Sequence, residues 1–407
     1  MTNTHINNIN DDILPPPPPS VINTTFDYNS LTIDTSEIQT ITSIDEYAFF
    51  NRTGLITFTI PSSVTTIGKY AFSGCTGLTD ITLPSSVTSL GFQAFNGCSR
   101  LTTVTLPSSI SNICADTFRY CTSLTTVKFT SDETNTCSTS LKSIGPLAFD
   151  GCSSLTIINI PSSVISIGYR AFGCCTSLEN VTIPPSVTTI GKYAFTGCTG
   201  LTTVTIPSSV TTIDQYAFSG CPCLTTITIP SSVSNIGVGA FCCSGLTSLE
   251  IPSSVTEIAI DAFIGCTSLA TVIIPSSVTK IGERAFNGCS SLATITIPSS
   301  VTRIGYQAFI GCSSLTTIVI PPSVTSISVN TFNGCTSLTT VTIPSSVTTI
   351  CEFAFADCTG LTSITIPPSV TTIHPNTFDG CTGLITAAEE SGFDTIVEWA
   401  RWSSLRL

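Results

Sequence analysis

Proline recurs down this chain with a step of 23 residues. It stands at Pro61, Pro84 and Pro107, at Pro161, Pro184, Pro207 and Pro230, and at Pro252, Pro275, Pro298, Pro321, Pro344 and Pro367. Two steps depart from the period. Pro107 to Pro161 spans two units plus eight residues, and Pro230 to Pro252 is one residue short, a deletion assigned to Phe241-Cys242-Cys243. Phenylalanine keeps the same beat from Phe49 to Phe378, in about fifteen units of which the first is degenerate. Length alone, 407 residues, suggests two or three independent domains. The repeat overrides that reading, because a 23-residue unit cannot enclose its own apolar side and must stack on copies of itself.

One unit, Leu201 to Cys221, gives the local structure. Leu201, Val204 and Ile206 alternate with Thr203 and Thr205, the period of a short β-branched strand, and Pro207 ends it. Val210 and Ile213 follow a Pro-Ser-Ser turn as a second short extended segment. Ala217-Phe218-Ser219-Gly220-Cys221 predicts one tight helical turn closed by glycine. Stacked in register, such units pair their strands in parallel at about 4.8 Å, so the whole is a rod or arc on the order of 70 Å long. Leu, Val, Ile, Ala, Phe and Cys of each coil then form columns inside it.

The pattern Leu-x-x-Val/Ile-x-Ile-Pro-x-Ser-Val-Thr-x-Ile-Gly-x-x-Ala-Phe-x-x-Cys resembles the BspA-like, or treponemal-type, leucine-rich repeat. It covers roughly residues 38 to 384 and recurs more than a dozen times. The resemblance implies an α/β repeat solenoid, a right-handed leucine-rich-repeat coil with a parallel β-sheet on one face. It also implies non-enzymatic binding, because characterised members are often surface proteins that bind host or matrix proteins. Such members usually carry export signals. This chain opens MTNTHINNINDD, without a basic start or an apolar segment, so an intracellular, cytoplasmic location is expected. The alternative is the cell surface, reached by unconventional export.

Composition removes several function classes. Charged residues are only 9% and mean hydropathy is +0.44, yet the apolar residues come in ones and twos between Thr and Ser. No run approaches the roughly 20 residues of a spanning helix, so no membrane span is expected. A net charge of −12 offers no basic face to nucleic acid. The solenoid is expected to be a monomer with protein partners.

The chemistry-bearing residues are few. Fourteen of the twenty cysteines are assigned to the ladder position that ends Ala-Phe-x-x-Cys, from Cys75 to Cys381, with Cys243 among them. They are expected as buried free thiols acting as small hydrophobes, which fits a reducing compartment. The others are Cys114, Cys137, Cys174, Cys223, Cys242 and Cys351. Cys221-Pro-Cys223 and Cys174-Cys175 are weak redox candidates. With His5 and His374 as the only histidines, a zinc site has almost no ligands. His374 is expected as an exposed loop residue. No H-E-x-x-H, G-x-S-x-G or phosphate-binding loop is present, and the carboxylates stand singly, so no catalytic residue, metal or cofactor is assigned.

What remains is surface. The outward strand positions form two files of threonines, exemplified by Thr203, Thr205, Thr226 and Thr228, and broken by Lys128, Asn159, Glu250, Ile273 and Val319. Thr in such a file fits β-propensity alone, or a lattice of hydroxyl and methyl groups that matches a repetitive surface. The pair before Ala-Phe varies where the rest does not, with Lys192-Tyr193, Gln215-Tyr216 and Tyr306-Gln307 as examples, and Tyr is enriched at protein contacts. Candidate partner-binding residues are therefore Thr203, Thr205, Thr226, Thr228, Lys192, Tyr193, Tyr216 and Tyr306. Three regions are expected: an Asn-rich, polyproline tail over 1–22, the solenoid over 23–386, and a capping helix over 387–407. Pro15–Pro19 is a stiff linker or a ligand for a proline-binding module. Eight extra residues around Ser131 to Ser138 are expected to loop out. The function expected is a protein–protein interaction scaffold. The alternative is a surface adhesin, or a binder of a polysaccharide or ice.

Overall fold

The computed structural model describes residues 41–130 and 140–384. The tail expected over 1–22, the first half of the degenerate coil, the loop expected around Ser131–Ser138 and the capping helix expected over 387–407 all fall outside the described residues.

Each coil contributes to three walls. The first is a parallel sheet. Asp80–Thr82, Thr103–Leu106, Thr126–Phe129, Ile157–Ile158, Asn180–Thr182 and Thr203–Thr205 pair in chain order. Equivalent residues face each other one period apart, as in Val181 to Val204 and Thr182 to Thr205. The second extended segment forms a sheet of its own. Asn112–Ile113, Ser143–Ile144, Ser166–Ile167, Thr189–Ile190, Thr212–Ile213 and Asn235–Ile236 pair in chain order, with Ile190 opposite Ile213. Shorter sheets continue both walls toward the C-terminus, among them Ser248–Glu250 with Thr271–Ile273 and Thr317–Val319 with Thr340–Thr342. The parallel stack and its 23-residue spacing are as the sequence predicts.

The third wall differs from expectation. Ala-Phe-x-x-Cys is not a helical turn but a chain of tight turns. The Tyr193, Phe195 and Gly197 N–H groups donate to the carbonyls of Gln215, Ala217 and Ser219 in the next coil, at 2.9, 2.9 and 2.7 Å. The alternate N–H groups of Ala194, Thr196 and Cys198 turn back onto Gly191, Tyr193 and Phe195. Tyr193 (φ 57°) and Gly197 (φ 69°) are both left-handed, which is what aims every second N–H along the stack. A helix would satisfy all of these groups locally and leave the coils unconnected on this side. Among the described residues a 3-10 helix is formed by Pro375–Phe378.

The interior is built of columns. Phe49 through Phe378 stack ring on ring, with centroids 4.9 to 5.9 Å apart and planes within 14°. This is the slipped-parallel arrangement favoured by ring quadrupoles. The ladder cysteines are buried free thiols. Each donates its S–H to the Phe carbonyl of the preceding coil, as Cys98 does to Phe72 at 3.2 Å and Cys221 to Phe195 at 3.3 Å. Serine and threonine serve the same ladder further round. Ser209 donates to the Val187 carbonyl at 2.7 Å, Thr202 to Glu179 at 3.0 Å and Thr211 to Thr188 at 3.3 Å. The Thr- and Ser-rich composition therefore has a structural cause, since short hydroxyl side chains bridge one coil to the next.

One ladder assignment is corrected. Cys243 is exposed, and Ser244 occupies the buried ladder position, 3% exposed, with its N–H on the Phe241 carbonyl. The lost residue therefore falls between Ser244 and Leu246, not in Phe241-Cys242-Cys243. Position in the turn, not identity as cysteine, decides which side chain enters the core.

Candidate functional site

The predicted threonines divide. Thr203 and Thr205 are exposed on a paired strand, opposite Asn180 and Thr182 of the preceding coil. The Thr203 hydroxyl bonds the Asn180 side-chain oxygen. Thr226 and Thr228 are exposed too, but their segment carries no strand pairing, and the first sheet ends at Thr203–Thr205 before resuming at Ser248–Glu250. The double file is thus interrupted in the middle of the molecule, one coil before the short unit. Ile273 and Val319 interrupt it again as large exposed apolar side chains.

The variable pair before Ala-Phe lies on the turn wall. Its second member is left-handed in coil after coil. The positions are Tyr47, Tyr70, Gln93, Asp116, Leu147, Arg170, Tyr193, Tyr216, Gly239, Asp261, Arg284, Gln307, Asn330 and Phe353. A left-handed backbone costs a non-glycine residue roughly 1–2 kcal/mol. The N–H to the next coil offsets that cost, so the position holds aromatic, charged, amide and aliphatic side chains alike, although no β-branched one, and the edge varies.

Variation along this edge is organised. Tyr47 stacks on Tyr70 at 4.8 Å, and Phe92 meets Tyr70 edge-on at 5.4 Å. Tyr169 meets Tyr193 edge-on at 5.5 Å, and Tyr193 stacks on Tyr216 at 5.0 Å. Partial burial in these ladders pushes the Tyr70, Tyr193 and Tyr216 phenols up, so they remain protonated donors at neutral pH. Lys192 is exposed beside Tyr193. Tyr306 is exposed on the same edge, four coils beyond Tyr216.

Between the two aromatic ladders sits a charge cluster that sequence reasoning missed. Asp150, 1% exposed, accepts from Arg119 Nε at 3.2 Å and from Arg170 Nε at 2.7 Å. Arg119 also bonds Asp116 at 3.2 Å and lies over the Tyr120 ring at 4.5 Å. Arg119 and Asp150 flank the eight-residue insertion, so their separation in sequence follows no period. A second fork joins Arg284 to Asp261 through Nε at 2.7 Å and a second nitrogen at 2.8 Å. His374 is exposed, as expected. Among the described residues no group of three or more His, Cys, Asp or Glu side chains is placed to hold a metal ion, and no helix is long and apolar enough to cross a membrane.

Comparison with known proteins bears on the whole stack. Residues 20–141, 133–244 and 256–385 match the model of the BspA type leucine rich repeat region. A leucine-rich repeat protein from Bacteroides ovatus is similar in structure, with 30% identity, a TM-score of 0.63, and coverage of 84% of this chain and 90% of that one. A leucine rich cell surface protein from Faecalibacterium prausnitzii is 32% identical over 78% of this chain and 87% of that one, with a TM-score of 0.48. No curated protein matches the chain.

Proposed function

This chain belongs to the BspA-type leucine-rich-repeat family, and on that footing we propose that it is a non-enzymatic scaffold that binds a protein partner along its turn-wall edge. Leucine-rich-repeat proteins generally act in protein interaction or at surfaces rather than in catalysis. The observation that carries the reading is the ladder Tyr169–Tyr193–Tyr216 beside Lys192. Rings clamped across three coils lose little freedom on binding, and their protonated hydroxyls supply directed donors. The rest of each coil is held nearly constant by the core, so a surface that differs from coil to coil is where recognition can be written.

The compartment in this reading is reducing. Thirteen buried ladder thiols are free, and each gives its S–H to a carbonyl, a role that a disulfide would abolish. Localisation of the tagged full chain at the cell surface would instead place the partner outside. The binding test compares the full chain with Tyr193→Ala/Tyr216→Ala in quantitative co-purification from native lysate. The double variant is expected to keep its circular dichroism and a single cooperative unfolding transition, at a somewhat lower midpoint, and to lose the co-purifying protein. Equal recovery by the two forms refutes the assignment of the edge.

A second reading is favoured by the register of the outer face. Asp80, Thr103 and Thr126 align from coil to coil, as do Thr82, Thr105 and Lys128. Such a file presents hydroxyls at the strand spacing to a repetitive surface, a polysaccharide or ice. The break at Thr226 and Thr228 shortens the continuous part. Thermal hysteresis at high protein concentration, with binding to insoluble polysaccharide alongside it, measures the idea, and a null result in both removes it.

A further inference from the structure

Coil Gly237–Leu246, which also carries Ser244 in the ladder and the lost residue, departs from its neighbours at two adjacent residues of its turn. Where other coils carry Thr196-Gly197, Ser219-Gly220 or Asn287-Gly288, this one carries Cys242-Cys243. Cys243 takes over the left-handed glycine backbone (φ 54°) and is exposed, while Cys242 is half-buried. Their sulfurs lie 3.5 Å apart, with Cys242 S–H donating to Cys243 Sγ. Gly265 of the next coil leaves the room, since a Cβ there would lie 2.9 Å from Cys243 Sγ. The ladder thiols contrast with this pair. Cys221 and Cys266 are buried, and each is committed to a Phe carbonyl, at 3.3 and 3.0 Å.

Two sulfurs on consecutive residues do not readily close on each other. Adjacent Cα atoms are about 3.8 Å apart, below the roughly 4.4 Å at which disulfides begin to be comfortable. A third atom set between the sulfurs removes that difficulty, and thiolates select soft centres. The geometry points to Cys242 and Cys243 as a surface dithiol site that chelates a soft trivalent metalloid, such as an organoarsenic(III) species. A pyramidal trivalent centre holds two sulfurs at a short spacing like this one, whereas a tetrahedral zinc site needs further ligands, and among the described residues no group of three or more His, Cys, Asp or Glu supplies them. With an arsenic(III) oxide the step is a condensation. Two As–S bonds form, the As–O double bond and two S–H bonds break, and the oxygen leaves as water with both thiol protons. No electrons are transferred. The hydrogen bond from Cys242 pulls the Cys243 thiol below its ordinary value, which favours Cys243 as the first sulfur to attack.

Phenylarsine oxide and intact-mass analysis of the reduced, native full chain test this site. One phenylarsenic group per chain is expected, resistant to excess monothiol and released by a 1,2-dithiol. Cys242→Ser and Cys243→Ser should each weaken retention on the order of a hundredfold, the loss of one arm of a chelate. Cys223→Ser should leave it intact. Cys242→Ser/Cys243→Gly recreates the Ser-Gly of the preceding coil and serves as the folded control, and it should not take up the probe. Absence of uptake by the native chain, or undiminished uptake by that double variant, overturns the site.

Discussion

Phe218 states the residue-scale logic of the molecule. Its ring is fully buried and stacked between Phe195 and Phe241 at 5.5 and 5.6 Å. Phe218→Ala removes a ring from a column that cannot close up, because the backbone ladders fix the coil spacing. A loss of about 3–5 kcal/mol is expected by chemical denaturation. Ser244 runs the other way. It is the one described ladder position without a cysteine between Cys221 and Cys266, and its hydroxyl contacts Cys266 Sγ at 3.3 Å rather than the Phe218 carbonyl. Ser244→Cys should restore the bond its neighbours make and stabilise by about 0.5–1.5 kcal/mol in the same assay. The core columns were legible in the sequence because each burial position recurs as the same residue type. Cys243 was misplaced for the same reason. Matching by residue type breaks down where the period slips, and only the turn hydrogen bond of Ser244 to Phe241 reveals the true slot.

At the scale of the element, the two short strands were legible, since β-branched alternation and a following proline specify them. The turn wall was not. Left-handed positions usually announce themselves as glycine or asparagine, but here they hold Tyr, Arg, Gln, Leu and Phe, as at Tyr193, Arg170, Gln307, Leu147 and Phe353. The inter-coil N–H to carbonyl bond enforces that backbone, and no local pattern encodes it. The varying edge was still found, because variation marks it. The Asp150 cluster was not, because its partners meet only once the chain is coiled. Arg119, Asp150 and Arg170 come from three successive coils and tie the stack together across the inserted segment. Asp150→Ala leaves two partly buried guanidinium groups without their shared carboxylate. It should cost about 3 kcal/mol or more, where exposed pairs contribute under about 1 kcal/mol. Because the Arg284–Asp261 pair lies far from the insertion and is more exposed, Asp261→Ala is the matched comparison, with a smaller expected loss.

For the whole molecule, the buried thiols in the middle of the column, Cys221, Cys266 and Cys335 among them, make stability fall as pH rises. Burial raises Cys221 and Cys335 from the ordinary value near 9 to about 12, and Cys266 to about 11. Below the unfolded value both states hold their protons and the column contributes in full. As pH rises above about 9 the unfolded chain releases thiol protons that the folded chain retains, so unfolding is favoured. The shift is about 1.4 kcal/mol per thiol per pH unit until the folded values are reached. Because each coil contacts only its neighbours, destabilising every interface at once should collapse the stack cooperatively instead of fraying one end. Denaturant midpoints measured from about pH 8 to about pH 10.5 should therefore fall steeply above 9 with a single transition. A flat profile across that range would mean that the thiols are not buried in the folded state, and with them the Phe column they bond to.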